Sequence, residues 1–405
     1  MKKKNKGYNI ISFGARDYYQ VAIALLNNNL LNKYITDFYT PNFLKKFINI
    51  RKNEKLDSSK TISLFFFLII NKFVRNTKIQ KNIDYIFGFI SAFFTFFSTN
   101  KAIVYSYYLR GFLKFYNIFN LKPEKLICFQ DHPENNYINN IIEKDKEKFY
   151  KLYKLQLPIN PESFYSYKEN KEYLKCILSV DSIICASSVT AKSLQVNFKK
   201  KINYNIVPYG SKFEKSVPKI FNNKKKENKK IKLLTVCHMS QRKGLHWAFK
   251  AMDSLTNKEK NKFEWIIVSE FYDDIILKMA PKNVKFKKKI KIQNLKNLIK
   301  KSDLFVLPSL IEGFGHVYLE SLSLGTPILY TKNTGPNDFI KNNSSCGFRV
   351  NISSAKDISL VFKKIINNSA NLKEMKKKTQ FINSKINWKN FRKKVANIVI
   401  KLDKI

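Results

Sequence analysis

Short apolar runs recur along the chain, separated by longer stretches in which apolar residues return at helical spacing. The runs are rich in Ile, Val and aromatic residues, which favour strands. After the first run, for example, DYYQVAIALLNNNLL has a helical pattern. Strand and helix in repeated alternation predict parallel sheets covered by helices on both faces. The predicted strands are 8–13, 33–38, 102–107, 125–130, 182–187 and 204–209, followed by 231–237, 263–269, 304–309 and 326–330.

A polar break rich in Lys and Asn, NNKKKENKK at 222–230, divides this alternation into two series. With 405 residues, the chain is too long for one comfortable core. We therefore expect an α/β protein of two Rossmann-like, doubly wound domains, with ligands bound at strand carboxyl ends and in a central cleft between the domains. The expected boundaries are 1–205 for the first domain, 206–230 for a linker and 231–385 for the second domain.

Two Phe-rich runs, ISLFFFLII at 62–70 and IFGFISAFFTFF at 86–97, interrupt the alternation in the first half. A bilayer span needs about 20 apolar residues, and neither run is that long. The apolar stretch after the basic residues 1–6 is too short for a signal peptide. The two runs are therefore either buried helices or helices that lie on a surface.

The charge is strongly positive, with 75 Lys and Arg against 30 Asp and Glu and a net charge of +45. Most of this excess is Lys, so codon usage that also enriches Asn, Ile and Phe is one explanation. Attraction to an anionic membrane surface is the other. No nucleic-acid-binding motif accompanies the charge, so nucleic acid is not an expected partner.

The five cysteines form no CxxC pair, which indicates neither a disulfide framework nor a zinc site and favours a reducing, cytoplasmic setting.

The stretch PSLIEGFGHVYLESLSLGTPILY, residues 308–330, combines a strand, a glycine loop and a helix that ends at Gly325. Its glycines allow close approach of a ligand to the backbone, and the helix N-terminus after Gly315 favours an anion such as a pyrophosphate. Glu320 lies about 7 Å further along the helix, which suits a carboxylate that binds ribose hydroxyls. Glu312 would face the other end of the ligand. The alternative is a glycine-capped helix with two solvated glutamates.

The two glutamates around GFG, preceded by PS and followed by SLGTPI, resemble the nucleotide-sugar signature of retaining GT-B glycosyltransferases of the family-4 type, the glycosyl transferases group 1. The resemblance implies that Gly313, Phe314, Gly315 and Glu320 bind the donor and that Glu312 acts in catalysis.

Other segments follow in the order of that family: 181–194, 205–214, 233–252 and 334–340. The resemblance implies that Lys243, followed by Gly244, holds the donor diphosphate and takes part in catalysis. The family's Arg five residues earlier is His238 here, and Arg242 can supply that charge instead. Asp338 stands where the family has Glu. The terminal NWKNFRKKV is similar to the closing helix that returns to the first domain, so 386–405 is expected to do so.

The first half contributes two candidate site residues. Gly14, in FGARDYYQ, follows the first strand where the family has a glycine loop near the transferred phosphate. His132, in CFQDHPENN, ends a predicted strand facing the cleft, where the family often has a His beside donor sugar and acceptor. Neither GxGxxG nor Asp-x-Asp occurs in the chain, so we expect no nicotinamide cofactor and no metal.

The resulting hypothesis is a glycosyltransferase that moves a sugar from a nucleotide-diphosphate sugar to a glycan or lipid-linked saccharide acceptor, with retention, in cell-envelope polysaccharide synthesis. The alternatives are a sugar-nucleotide 2-epimerase on the same fold and a non-catalytic protein that binds polyanions or membranes. We expect a cytoplasmic protein resting on the inner face of the cytoplasmic membrane through its first domain, where basic residues connect the two Phe-rich runs. These are Lys72, Arg75, Lys78 and Lys81.

Overall fold

The computed structural model describes residues 7–44, 51–73, 77–158, 166–213, 230–340 and 346–404. The chain divides into two compact units. Unit 1 comprises Met1–Asn135, Ser163–Tyr209 and Trp388–Ile405, and unit 2 comprises Asn136–Glu162 and Gly210–Asn387. Most of the predicted linker, including NNKKKENKK up to residue 229, lies outside the described residues.

Each unit contains one parallel sheet, as the alternation of strand and helix predicts. The order is β3-β2-β1-β4-β5-β6-β7 in unit 1 and β10-β9-β8-β11-β12-β13 in unit 2. The strands of unit 1 are β1 Tyr8–Ile11, β2 Leu31–Thr36, β3 Thr61–Ser63, β4 Lys101–Tyr105, β5 Lys125–Gln130, β6 Ser182–Cys185 and β7 Tyr204–Ile206. Those of unit 2 are β8 Ile231–Val236, β9 Phe263–Val268, β10 Val284–Lys287, β11 Leu304–Val306, β12 Ile328–Thr331 and β13 Gly347–Val350.

Helices pack on both sheets and bury their apolar faces. In chain order they are α1 Gln20–Leu26, α2 Phe65–Phe73, α3 Thr77–Ser98, α4 Leu109–Ile118, α5 Asn135–Tyr153, α6 Tyr167–Leu178, α7 Ser188–Gln195, α8 Leu245–Asp253, α9 Asn257–Lys260, α10 Asp274–Lys278, α11 Ile292–Lys301, α12 His316–Ser323, α13 Ala355–Asn367, α14 Ser369–Lys378, α15 Ile382–Lys385 and α16 Trp388–Asp403. The core of unit 2 includes Trp247, Trp265 and Phe362, all fully or almost fully buried.

The strand order reverses direction once in each sheet. In unit 1 the reversal lies between β1 and β4, paired for example as Ile11 with Val104. In unit 2 it lies between β8 and β11, paired as Leu304 with Leu233. The loops that leave neighbouring strands at such a point run to opposite faces of the sheet, which opens a crevice at the carboxyl ends. Each unit therefore has one topologically favoured binding edge.

Helix α5 belongs to unit 2, whereas the predicted boundary at residue 205 places it in the first domain. The physical reason is its buried face. The Phe149 ring lies edge-on to Trp247 of α8, with centroids 5.1 Å apart, and Asp145 accepts a hydrogen bond from Trp247 Nε1 (2.7 Å). Apolar periodicity alone does not show which of two cores a helix joins.

The last helix, α16, belongs to unit 1 and packs on α1. It buries Trp388, Phe391 and Val399. Near its end, Asp403 accepts a hydrogen bond from the hydroxyl of Tyr8 on β1 (2.8 Å). The first strand and the last helix are therefore parts of one core.

The two Phe-rich runs form β3, α2 and α3, and both helices expose apolar side chains. On α3 the exposed residues at spacings of seven and four lie on one helical face. We call the following eight residues the apolar face: Phe65, Phe66, Ile69, Phe73, Ile79, Ile86, Phe93 and Phe97. The inner side of the same helices is buried, as at Phe67 and Phe87. Each helix is thus partly core and partly surface. In the parts of the chain that the structure describes, no helix combines the length and the apolar character needed to cross a bilayer.

Candidate functional site

The loop after β8 carries two adjacent cations at the binding edge of unit 2. A 3₁₀ turn at Gln241–Lys243 leads into α8 through Gly244, whose φ is 70°. A Cβ at Gly244 would lie 2.0 Å from the carbonyl oxygen of Pro308, in the loop after β11. Glycine is therefore required for the close approach of these loops.

Glu312, in the loop after β11, faces both cations. Its Oε2 lies 2.9 Å from Arg242 Nη1, its Oε1 accepts a hydrogen bond from Lys243 Nζ, and Ser309 Oγ donates to the same Oε1 (3.1 Å). Burial acts to raise the pKa of Glu312, but Arg242 and Lys243 outweigh it and lower that pKa to about 2. The two cations and the carboxylate thus form one ionised cluster with a net positive charge.

The glycine loop that follows brings the N-terminus of α12 to the same edge. Gly315 has a φ of 74°, and a Cβ there would lie 2.6 Å from the Tyr318 ring. Phe314 is only 3% exposed, and its ring packs near His316 and Phe339. Gly313 is buried beside it.

Glu320 lies about one turn into α12 and is almost fully buried. Its Oε1 forms an ion pair with Lys212 Nζ (2.9 Å). Burial and the charge of Lys212 lower the pKa of the neighbouring His316 to about 4, so this imidazole is neutral at pH 7. Lys212 therefore adds a third cation to the site.

The structure brings seven predicted site residues to one edge of unit 2. They are Arg242, Lys243, Glu312, Gly313, Phe314, Gly315 and Glu320. His238 is exposed in the loop after β8. Asp338 ends a 3₁₀ turn whose Gly335 packs against the carbonyl oxygen of Phe314.

The other two predicted residues, Gly14 and His132, lie in unit 1. The Gly14 amide already donates to Asp37 Oδ1 (2.9 Å) and Thr36 Oγ1 (3.0 Å), so this N–H group is used within the protein. His132 follows β5, and its Nδ1 lies 3.1 Å from the carbonyl oxygen of Pro133. Near it, Asp131 pairs with Arg16 (3.2 Å).

Two residues that contact the site in unit 2, Lys212 and Asp145, were not predicted from the sequence. Lys212 follows VPYGS in a segment singled out for its turn, not for its charge. Asp145 is buried beneath the loop that carries Lys243 and binds its neighbours Gln241 and Trp247. Its helix has an ordinary amphipathic pattern, so no sequence signal indicated this contact. Among the described residues, no group of three or more His, Cys, Asp or Glu side chains is arranged to hold a metal ion.

Comparison with known proteins agrees with this geometry. A family model described as Glycosyl transferases group 1 matches residues 216–382. The chain is also 27% identical over 246 residues to the UDP-N-acetylglucosamine–peptide N-acetylglucosaminyltransferase GtfA subunit of Streptococcus agalactiae, covering 54% of this chain and 46% of that protein. The chain thus spans less than half the length of this curated relative.

Solved structures share the fold over almost the whole chain. Sucrose-phosphate synthase from Thermosynechococcus elongatus superposes with a TM-score of 0.66 at 14% identity, covering 98% of this chain and 99% of that one. HepE from Anabaena, in complex with UDP and glucose, gives 0.60 at 11% identity, covering 98% and 100%. An E. coli structure described as trehalose-6-phosphate bound with UDP-2-fluoro glucose gives 0.62 at 9% identity, covering 98% and 99%.

The predicted resemblance to glycosyl transferases group 1 and the predicted fold are both confirmed. The two parallel Rossmann-like sheets are those of the GT-B architecture. Residues 216–382, which lie entirely in unit 2 and contain the seven clustered site residues, match the family on which the resemblance rests. The chain thus has the GT-B fold, and its residues 216–382 match the family model of glycosyl transferases group 1.

Proposed function

We propose that this protein is a glycosyltransferase that takes a sugar from a nucleotide-diphosphate sugar and attaches it to a glycan or lipid-linked saccharide. The observation that carries this proposal is the cluster at the binding edge of unit 2. There Arg242, Lys243 and the N-terminus of α12 surround Glu312, and Glu320 lies one turn further along α12. Cations and a helix N-terminus suit a diphosphate, and a carboxylate suits ribose hydroxyls.

The chemistry of the site is stabilisation of a leaving group. The bond between the anomeric carbon and the phosphate oxygen breaks, and its electron pair stays on the diphosphate. Lys243 and Arg242 then stabilise the charge that develops. The acceptor hydroxyl forms the new bond on the same face of the sugar, and its proton passes to the departing phosphate oxygen, so the anomeric configuration is retained.

Glu312 keeps the two cations in place during this step, because it contacts both. His132, at the carboxyl end of β5 in unit 1, is proposed to act near the donor sugar and the acceptor. Gly14 is also proposed to lie near the transferred phosphate. Its own N–H group already donates to Asp37, so other backbone groups of the same loop would contact the phosphate.

Uridine is the first base to test, because the matched relative is named for a UDP-sugar and two of the structural neighbours are described with UDP or a UDP-sugar. The experiment measures binding and slow hydrolysis of UDP-, GDP- and ADP-sugars by purified protein. We expect one nucleotide class to bind at micromolar concentration. If none binds, the proposal is wrong.

A sugar-nucleotide 2-epimerase is the competing enzyme on this fold. Its product would form without any acceptor, whereas the proposed transfer requires one. If the protein binds polyanions but binds no nucleotide-sugar donor, it is instead a non-catalytic protein. The proposed biological context is synthesis of a cell-envelope polysaccharide.

We predict that transfer needs no divalent ion, because Lys243 and Arg242 supply the positive charge at the phosphate end of the site. Addition of EDTA is expected to leave the transfer rate unchanged within about twofold. Loss of transfer that Mg²⁺ or Mn²⁺ restores would contradict this expectation.

We further propose that the protein is cytoplasmic and rests on the anionic inner face of the cytoplasmic membrane through the apolar face of unit 1. The support is the exposure of large side chains there, including Phe66 (67%), Phe73 (82%) and Phe97 (69%). Insertion of an apolar helical face into the lipid interface, together with the net charge of +45, favours reversible binding. Of the predicted basic connector, Arg75 and the side chains of Lys72 and Lys78 lie outside the described residues, while Lys81 pairs with Glu169 (3.7 Å).

Flotation with vesicles that contain anionic lipid tests this location. The wild type is expected to float at low salt, and a variant with Phe66, Phe73 and Phe97 changed to Ser is expected to remain unbound. Phe381→Ser is the matched control, because Phe381 is 68% exposed but lies in unit 2. Equal flotation of the triple variant and the control would exclude the apolar face as the binding surface.

A further inference from the structure

Asp145, on α5, is a buried carboxylate surrounded by donors from three other segments of unit 2. It is only 2% exposed. Its Oδ2 accepts from Gln241 Nε2 (3.0 Å) and lies 3.0 Å from His246 Nε2. Its Oδ1 accepts from Trp247 Nε1 (2.7 Å) and from Ser353 Oγ.

These partners bracket the loop that carries the cations. Gln241 opens the 3₁₀ turn that contains Arg242 and Lys243, and it also donates to the carbonyl oxygen of Ile142 (3.0 Å). His246 and Trp247 lie in the first turn of α8, just after that loop. One carboxylate therefore fixes the chain on both sides of Lys243.

The carboxylate is held in its ionised form. Burial alone would raise its pKa, but the charge of His246 and the hydrogen bonds from His246, Gln241 and Ser353 lower the pKa of Asp145 below its ordinary value. A buried, ionised group with several partners is geometrically demanding, since any shift of one partner leaves another unpaired.

We propose that Asp145 is a positioning residue for donor binding, which fixes the Gln241–Lys243 turn so that Arg242 and Lys243 meet the diphosphate of the nucleotide sugar. The inference rests on the proposed function. Asp145 does not touch the donor and acts through the loop. Misplacement of a phosphate-binding group by about 1 Å can cost about a hundredfold in rate. A loop held in one position therefore maintains the rate of transfer.

Asp145→Asn tests this role. The amide keeps the size of the side chain, but in either orientation its NH₂ group faces a partner that can only donate, Trp247 Nε1 or Gln241 Nε2, so at least one of the four hydrogen bonds is lost. We expect the Kd of the nucleoside diphosphate selected from UDP, GDP and ADP to rise at least tenfold. The Kd of the matching nucleoside, which has no phosphate, should change less than twofold, because its binding does not depend on Lys243.

Two further variants separate positioning from stability. Ser353→Ala removes one hydrogen bond to Asp145 but none from the loop, so thermal stability should fall while diphosphate affinity stays within twofold. In a Lys243→Ala background, Asp145→Asn should have little further effect on diphosphate binding, because both changes act on the same contact. If Asp145→Asn does not fold, Gln241→Met cuts the same link from the loop side and should raise the same Kd.

The inference is overturned if the wild type binds the diphosphate and Asp145→Asn, or Gln241→Met in its place, binds it equally well. It is also overturned if diphosphate and nucleoside affinities fall together, which indicates general disruption. If the wild type binds none of the three diphosphates, the proposed function fails and this inference fails with it.

Discussion

At Glu312 a single carboxylate is shared by Arg242 and Lys243, and this sharing determines how the site responds to acid. The pKa of Glu312 in the folded protein is about 2, against an ordinary value of 4.5. A carboxyl group whose pKa is lower in the folded state stabilises the protein above its unfolded pKa, and that stabilisation is lost as the pH falls through the folded value. The relevant window is therefore between pH 4.5 and about 2.

We predict that Glu312→Gln lowers the free energy of unfolding by about 3 kcal/mol at pH 7, because the two cations lose their shared partner. The difference from the wild type should be constant from pH 7 to 5 and shrink below pH 4.5, since Gln does not titrate. Urea unfolding at several pH values measures it. Glu264→Gln, at an exposed pair with Lys285, is the control and should change little. A difference that stays constant to pH 3 contradicts the assignment.

Substitutions of the residues proposed to bind the nucleotide-sugar donor are expected to lower donor affinity or turnover. Glu320→Ala removes a carboxylate proposed to bind ribose, and Lys243→Ala removes a cation proposed to bind the diphosphate. Each should weaken donor affinity or turnover by roughly tenfold to a hundredfold, the value of a charge-assisted hydrogen bond. Steady-state kinetics with the selected donor measure this. If both folded variants had near-normal kinetics, the assigned site would be in another place.

The sequence indicated these residues because they lie in short local motifs. Glycines beside a helix N-terminus and carboxylates at fixed spacing can be identified from neighbouring residues alone. Asp145 and Lys212 could not be found in this way, because their partners lie far away in the sequence. The hydrogen bond donated by the Gly14 amide could not be found in this way either, since its acceptor, Asp37, lies in the loop after the next strand.

Among the elements, close contact between the loops after β8 and β11 depends on Gly244. Ala at this position must adopt a φ of 70° and would also place its Cβ against the carbonyl oxygen of Pro308. Gly14 has a φ of 57°, but a Cβ there would meet atoms of Arg51 at 3.7 Å and beyond, which is ordinary contact. Substitution of Gly14 by Ala therefore introduces backbone strain alone, whereas substitution of Gly244 by Ala introduces both backbone strain and steric overlap.

We predict that Gly14→Ala costs about 1–2 kcal/mol, the ordinary cost of a left-handed backbone conformation in a residue with a Cβ. Gly244→Ala should cost more, because one loop must also move, and it should weaken donor binding by displacing Lys243. Denaturant unfolding and donor titration measure the two effects. Equal costs at both sites would mean that the loops are further apart than described.

Strands in the middle of each sheet were predictable, whereas some strands at the edges were not. Central strands such as β4 and β8 need continuous apolar residues because both faces are covered. The edge strands β3 and β10 have half-exposed positions and less apolar sequence, as in VKFK of β10. The run at 62–70 therefore divides into β3 and α2, where its composition alone indicated one helix.

At the scale of the whole molecule, unit 1 is assembled from three separate segments of the chain. We predict that removal of 388–405 destabilises unit 1 far more than unit 2, because α16 buries Trp388, Phe391 and Val399 there. Hydrogen exchange should show faster exchange in β1 and α1, with little change in β8 and β9. Uniform loss of protection across both sheets would contradict this division of stability.

The placement of α16 also determines the order in which the chain becomes complete during synthesis. Between Tyr209 and Trp388 the ribosome must add about 180 residues, which takes roughly ten to forty seconds at 5–20 residues per second. Throughout that time β1 and α1 have left the ribosome, but the side chains that cover them in the finished protein have not been made. Nascent β1 and α1 are therefore exposed to chaperones and proteases for longer than any part of unit 2, and translation speed in the second half of the message becomes a determinant of yield.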